Sequence, residues 1–187
     1  MFVLAITPGA GFDPATWRAV LRSGVDGLLI REKEMGVKAL LDAARWCRIE
    51  APEVELWVGG RLDIALAAGC GLHAPEAYPE VPEGLVPLSR PLHEEKQLEA
   101  RRGCAQLLIS PVFATPGKGA PWGAARLHRF LDTVPAGPRL LALGGATAGN
   151  TGELKHPRLD GIAVIRAIWD APDPRDAVSR LKDAASR

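Results

Sequence analysis

Alternation is the feature that most constrains this chain. Short apolar runs of strand type and stretches of helical spacing follow one another from end to end without a break. The strand candidates are Phe2–Thr7, Gly27–Arg31, Glu55–Val58, Gly71–His73, Leu85–Leu88, Gln106–Ser110, Arg139–Leu143 and Gly161–Ile165. Between them lie helical patterns. Asp13-Pro14 offers an N-cap and a first-turn proline for a helix carrying Trp17, Val20 and Leu21. Val37–Arg48, Arg61–Ala68, Glu94–Arg102, a stretch from about Gly123 through Leu127–Thr133, a weak one over Ala148–Lys155, and Asp176–Ala185 follow. Strictly alternating elements imply parallel strands joined by right-handed crossovers. Eight strand candidates point to a closed (βα)8 TIM barrel of the α/β class in one domain over residues 1–187. The chain is short for that fold, which typically takes about 200 residues or more. The proline-rich stretch Pro75–Gly84 reads as a loop, so the helix after strand four is the one expected to be reduced.

A TIM barrel carries its active site at the carboxyl ends of its strands, and phosphate commonly sits on the late loops. The polar residues at those ends are Arg31 and Lys33 after strand two, Gly59, Gly60 and Arg61 after three, and His73 and Glu76 after four. Thr115 and Lys118 follow strand six, Gly144 and Gly145 strand seven, and Arg166 strand eight. The loop Thr115-Pro116-Gly117-Lys118-Gly119 has what an anion cradle needs: small residues that let backbone N–H groups approach, and a positive charge. By itself it reads equally as a Gly/Pro surface loop. Its convergence with other cations and Gly-Gly turns favours a site for a phosphorylated small molecule. His93, His128 and His156 fall on helices or loops and are expected to face solvent. The tryptophans read as packing residues, with Trp122 and Trp169 able to wall the phosphate site.

The formal net charge of +1 gives no basic field for nucleic acid. No apolar run is long enough to span a membrane. The start, Met1-Phe2-Val3-Leu4, lacks a charged region and is read as strand rather than signal peptide. Cys47, Cys70 and Cys104 are odd in number and scattered, without metal spacing, which points to a reducing cytoplasm.

Arg31-Glu32-Lys33, Arg61-Leu62-Asp63-Ile64-Ala65-Leu66, Pro111-Val112-Phe113-Ala114-Thr115 with Lys118, Leu143-Gly144-Gly145 and Gly161-Ile162-Ala163-Val164-Ile165 occur in one order over nearly the whole chain. The set resembles the thiamine-phosphate synthase/TenI family. The resemblance implies a barrel that binds thiazole phosphate or thiamine phosphate at its carboxyl mouth. It assigns Arg31 and Lys33 to a diphosphate. It assigns Thr115, Gly117, Lys118, Gly144, Gly145, Ile165 and Arg166 to the thiazole phosphate; at Arg166 the family usually has Ser. A homodimer is reasonable on the family precedent.

Departures from the family pattern carry information. The synthase places magnesium carboxylates where this chain has Gly60 and Tyr78, and Leu29 replaces its Gln. The TenI-type branch isomerises a thiazole phosphate without metal, and Gly59-Gly60-Arg61 is closer to its pattern. Its proton-transferring His falls at Pro111, so His73, then Glu76, are the candidates for proton transfer here. The expected activity is therefore TenI-like, a metal-independent thiazole tautomerase with no cofactor. The alternatives are a non-catalytic binding or regulatory relative, and a synthase with altered magnesium ligation.

Overall fold

The computed structural model describes residues 1–186, with the side chain of residue 186 excepted. Eight parallel strands close into one barrel in sequence order: β1 (Phe2–Ile6), β2 (Gly27–Ile30), β3 (Glu55–Gly59), β4 (Gly71–His73), β5 (Leu88–Leu92), β6 (Gln106–Ile109), β7 (Arg139–Leu143) and β8 (Gly161–Val164). Helices α1 (Pro14–Leu21), α2 (Val37–Glu50), α3 (Leu62–Ala68), α4 (Gly123–Thr133), α5 (Arg166–Trp169) and α6 (Pro174–Ser186) follow β1, β2, β3, β6 and β8. The strands read as continuous apolar runs because both faces are buried. Leu4, Ile6, Leu29, Trp57, Leu108 and Leu141 point inward and fill the barrel. Their neighbours Val3, Ala5, Leu28, Val58, Leu107 and Leu140 point outward into the core beneath the helices.

Two devices seal the interior below the mouth. The Trp57 indole lies across Gly71, its partner in register, and a Cβ on Gly71 would sit 2.5 Å from Cζ3 and 2.8 Å from Cδ2 of that ring. At the N-terminal end Arg139 grips Glu55 through two bonds of 2.6 and 2.9 Å and stacks 4.1 Å over the Phe2 ring.

The expected elements appear with four corrections. The loop after β4 carries no helix, as expected, but β5 runs over Leu88–Leu92 rather than Leu85–Leu88. Pro91 is tolerated within it for a local reason. Ala74 N–H donates to Ser89 O, so Ser89, and Pro91 two residues on, face β4, which has ended at His73. The missing N–H thus leaves no ladder bond unmade, and the Pro91 carbonyl takes a bond from Arg101. The expected helix over Glu94–Arg102 is instead two 3₁₀ turns, Glu95–Gln97 and Glu99–Arg101, bent so that Arg101 reaches inward. The weak helix over Ala148–Lys155 shrinks to a 3₁₀ turn at Thr151–Leu154, because the Asn150 side chain binds Thr147 N–H and the Gly145 carbonyl. The last helix begins at Pro174, preceded by the short α5.

Candidate phosphate site and barrel mouth

The late loops nest. Val112 N–H donates to Leu143 O at 2.9 Å and Phe113 N–H to Gly144 O at 3.0 Å, binding the loop after β6 to the turn after β7. Gly144 and Gly145 have φ of +108° and +69°, a region that favours glycine. A Cβ at Gly144 would stand 3.0 Å from Pro111 Cα and 3.3 Å from Thr115 Oγ1. One at Gly145 would stand 2.8 Å from Phe113 Cβ and 3.1 Å from Ala114 O. Thr115 Oγ1 donates to Phe113 O, and Lys118 N–H donates to Thr115 O at 3.1 Å across Gly117. The structure therefore brings Thr115, Gly117 and Lys118 to the same rim as Gly144 and Gly145, with Lys118 exposed. Ile165, half-buried just past β8, packs with Leu143 on the inner cluster, and Arg166 opens α5 with its side chain exposed.

Arg31 and Lys33 are exposed just past β2, while Glu32 between them is 6% exposed. The Glu32 carboxylate accepts the N–H groups of Gly9 at 3.0 Å and Gly11 at 2.7 Å, tying the loop after β1 to the end of β2. Sequence reasoning saw the two cations and missed this buried anchor. Its signal was a carboxylate just past one strand, beside the glycine-bearing loop that follows the neighbouring strand.

His73 and Glu76 belong to separate networks. His73 Nδ1 lies 2.9 Å from Ser89 Oγ, which receives Gln106 Nε2–H at 3.3 Å. Burial, reinforced by the charges of Arg31 and Arg90, pushes the His73 imidazole down to about 4, so the ring is neutral at pH 7. Glu76 is turned away to Arg101 at 2.7 Å and Gln97 at 2.9 Å. It holds the loop after β4 against the 3₁₀ turns, and its place as second proton-transfer candidate is not supported by this geometry. His93 is half exposed, as expected, but it stands at the mouth, with Nδ1 2.8 Å from Ser110 O. Trp122 and Trp169 are packing residues: Trp122 is 4% exposed against Phe130, and Trp169 meets Trp17 edge-on.

The family profile described as TMP-TENI, thiamine monophosphate synthase, matches residues 3–168. The chain belongs to this family. A thiamine-phosphate synthase of Albidiferax ferrireducens is 33% identical over 180 residues, spanning 88% of this chain and 80% of that protein. Another, of Syntrophomonas wolfei, is 32% identical, spanning 91% of this chain and 87% of the relative. Among solved structures, thiamine phosphate pyrophosphorylase from Pyrococcus furiosus superposes with a TM-score of 0.85 at 23% identity, covering 99% of this chain and 95% of that one. The thiamine-phosphate synthase family places the protein in thiamine biosynthesis.

Magnesium, which the synthase members of the family imply, is not matched by the donors present. Gly60 packs beside Pro75, a Cβ there lying 3.8 Å from Pro75 Cγ, and offers no oxygen donor from a side chain. The Tyr78 hydroxyl is occupied by Leu62 N–H at 3.3 Å, and Glu76 by Arg101. Hard cations of this size need several oxygen ligands. Among the described residues no group of three or more His, Cys, Asp or Glu could hold a metal. The three cysteines are buried and free; burial lifts the Cys47 thiol to about 12. No helix among the described residues is long and apolar enough to cross a membrane.

Clefts also lie away from this mouth. One of about 490 Å³ opens at the N-terminal end, between Leu66, Leu85, Trp57 and Arg139, where Arg139 is already committed to Glu55. It gathers no set of free anion-binding groups. The nested loops are therefore the better candidate site on chemical grounds.

Proposed function

We propose that the protein binds a thiazole phosphate or thiamine phosphate at the carboxyl mouth, and that it isomerises the thiazole phosphate without a metal. One observation carries this reading: a Gly-rich cradle with Lys118 is bound by backbone hydrogen bonds to the Gly144–Gly145 turn, and the Ser110 carbonyl that leads into that loop holds the His93 imidazole. In this scheme Thr115, Gly117, Lys118, Gly144 and Gly145 hold the phosphate through N–H groups and the Lys118 ammonium, with Ile165 and Arg166 closing the rim. Arg31 and Lys33 serve a second anionic group of the ligand. His73, neutral and aimed from β4, supplies a hydrogen bond to the ring.

The test is direct. The non-aromatic thiazole phosphate, incubated with purified protein, should change its ultraviolet spectrum faster than in buffer, with chelator present. A flat trace removes the isomerase reading. Thermal stabilisation by thiamine phosphate with no turnover would instead mark a binding or regulatory relative. A synthase reading is favoured by the names of the relatives at 32–33% identity. It requires magnesium-dependent diphosphate release from the pyrimidine diphosphate plus thiazole phosphate. Gel filtration with light scattering tests the proposed homodimer.

A further inference from the structure

We propose that His93, at the end of β5, is the residue that takes and returns the proton in this isomerisation. The inference rests on the metal-independent isomerase reading and names the base within it.

The argument is one of tautomers. His93 Nδ1 is 2.8 Å from the Ser110 carbonyl oxygen. A carbonyl only accepts, so Nδ1 carries the hydrogen, and in the neutral ring Nε2 holds the lone pair. The residue is fixed from other sides too. His93 N–H donates to Gln97 Oε1 at 2.8 Å, and its carbonyl accepts Trp122 Nε1–H at 3.1 Å. The side chain is 47% exposed, so a solute can reach Nε2. His73 has a different partner: its Nδ1 meets the Ser89 hydroxyl at 2.9 Å, which can give or take a hydrogen and so does not set the tautomer. Of the two imidazoles, His93 is the one whose partner fixes Nε2 as the acceptor.

Position supports the assignment. Ser110, which pins the ring, directly precedes Pro111, whose Cα comes within 3.0 Å of a Cβ at Gly144. The base therefore hangs from the loop that forms the phosphate cradle. Glu76 Oε2 stands 3.9 Å from His93 Nε2, while Glu76 Oε1 is held by Arg101 and Gln97. The carboxylate therefore faces the ring from its Nε2 side. The other charged groups around the ring are Arg101, Glu94, tied to Lys96, and Arg126, tied to Glu95.

The step balances without a co-reactant. A C–H bond of the substrate breaks as an N–H bond forms at His93 Nε2, and the electron pair moves into the conjugated system. A proton is then delivered at the far end of that system, so composition and oxidation level are unchanged.

The experiment uses full-length wild type, His93→Gln and His128→Gln, the last altering a helix α4 imidazole outside the site. Turnover of the non-aromatic thiazole phosphate is followed in the ultraviolet across pH, and thermal stabilisation by inorganic phosphate is followed in parallel. His93→Gln keeps a donor for Ser110 O but cannot cycle a proton. It should lose about 100-fold or more in kcat, lose the imidazole limb of the pH profile, and keep its stabilisation by phosphate, while His128→Gln matches wild type. Turnover of His93→Gln within about threefold of wild type overturns the assignment and leaves the isomerase reading standing. Loss of phosphate stabilisation in His93→Gln makes the role structural and also overturns it. An inactive wild type removes both.

Discussion

Replacing Gly145 by alanine tests the nested loops on which the candidate site depends. The new side chain would have to sit at φ +69°, which costs an L-residue about 1–2 kcal/mol. It would also press within 2.8 Å of Phe113 Cβ and 3.1 Å of Ala114 O, so the loop after β6 must yield. Overfilling of this kind adds about 1–3 kcal/mol. The proper control is Gly69→Ala. Gly69 ends α3 at φ +62°, but a Cβ there meets nothing within 4 Å, so only the conformational cost applies. For a chain of this length each 1 kcal/mol moves Tm by about 2–4 °C. Gly69→Ala should therefore lower Tm by a few degrees and Gly145→Ala by roughly 10 °C, and only Gly145→Ala should lose stabilisation by inorganic phosphate. Urea unfolding of both variants beside wild type measures the difference. Equal losses in the two would refute the close packing of the turns, and with it the cradle.

Gly71→Ala should destabilise by about 1–3 kcal/mol because the new methyl meets the Trp57 ring, and adding Trp57→Leu should recover part of the loss; a double-mutant cycle in urea with no coupling would contradict that contact. His73 titrates at about 4 in the fold and near 6.5 in the unfolded chain, so the unfolded state binds the extra proton first as pH falls. Stability from this group is complete above about pH 6.5, declines through the window and is gone below about pH 4, a total on the order of 3 kcal/mol. His73→Gln should flatten the slope of unfolding free energy over that window, read from urea titrations at several pH values. Glu76→Gln should cost about 1–3 kcal/mol by leaving the Arg101 guanidinium, whose side chain is 9% exposed, short of its anion; a full loss of turnover with unchanged stability would reverse that reading.

The barrel was legible because two-sided burial writes strands as apolar runs, as at Leu28-Leu29-Ile30 and Leu140-Leu141-Ala142, and because glycines and prolines punctuate them. Loop chemistry was legible where it depends on backbone freedom: Gly144-Gly145 and Gly117-Lys118 announce turns that only small residues make. The segment from Leu85 to Arg102 was misread because its conformation is set by distant partners. Leu85 and Val86 look like strand but β5 starts at Leu88, and Arg90-Pro91 looks like loop but pairs with Leu107 and Leu108. The helical pattern over Glu94–Arg102 yields to Arg101, which turns inward to the Pro91 carbonyl and Glu76. Glu76 resembled a catalytic carboxylate because its cation lies 25 residues away in sequence. His93 resembled a surface residue because Ser110, which orients it, lies 17 residues away in sequence, just past β6.

The joint between β4 and β5 is held in register at only two positions, Leu72 with Leu88 and His73 with Ser89. A cylinder parts where its staves overlap least. Amide protons of Leu72 and Ala74, which lean on this joint, should exchange with solvent earlier than those of the long β1–β8 seam. The unhelical stretch beside it is also where the chain can be cut and its old ends joined with least damage, so a permuted protein that starts near Gly84 should still close its ring.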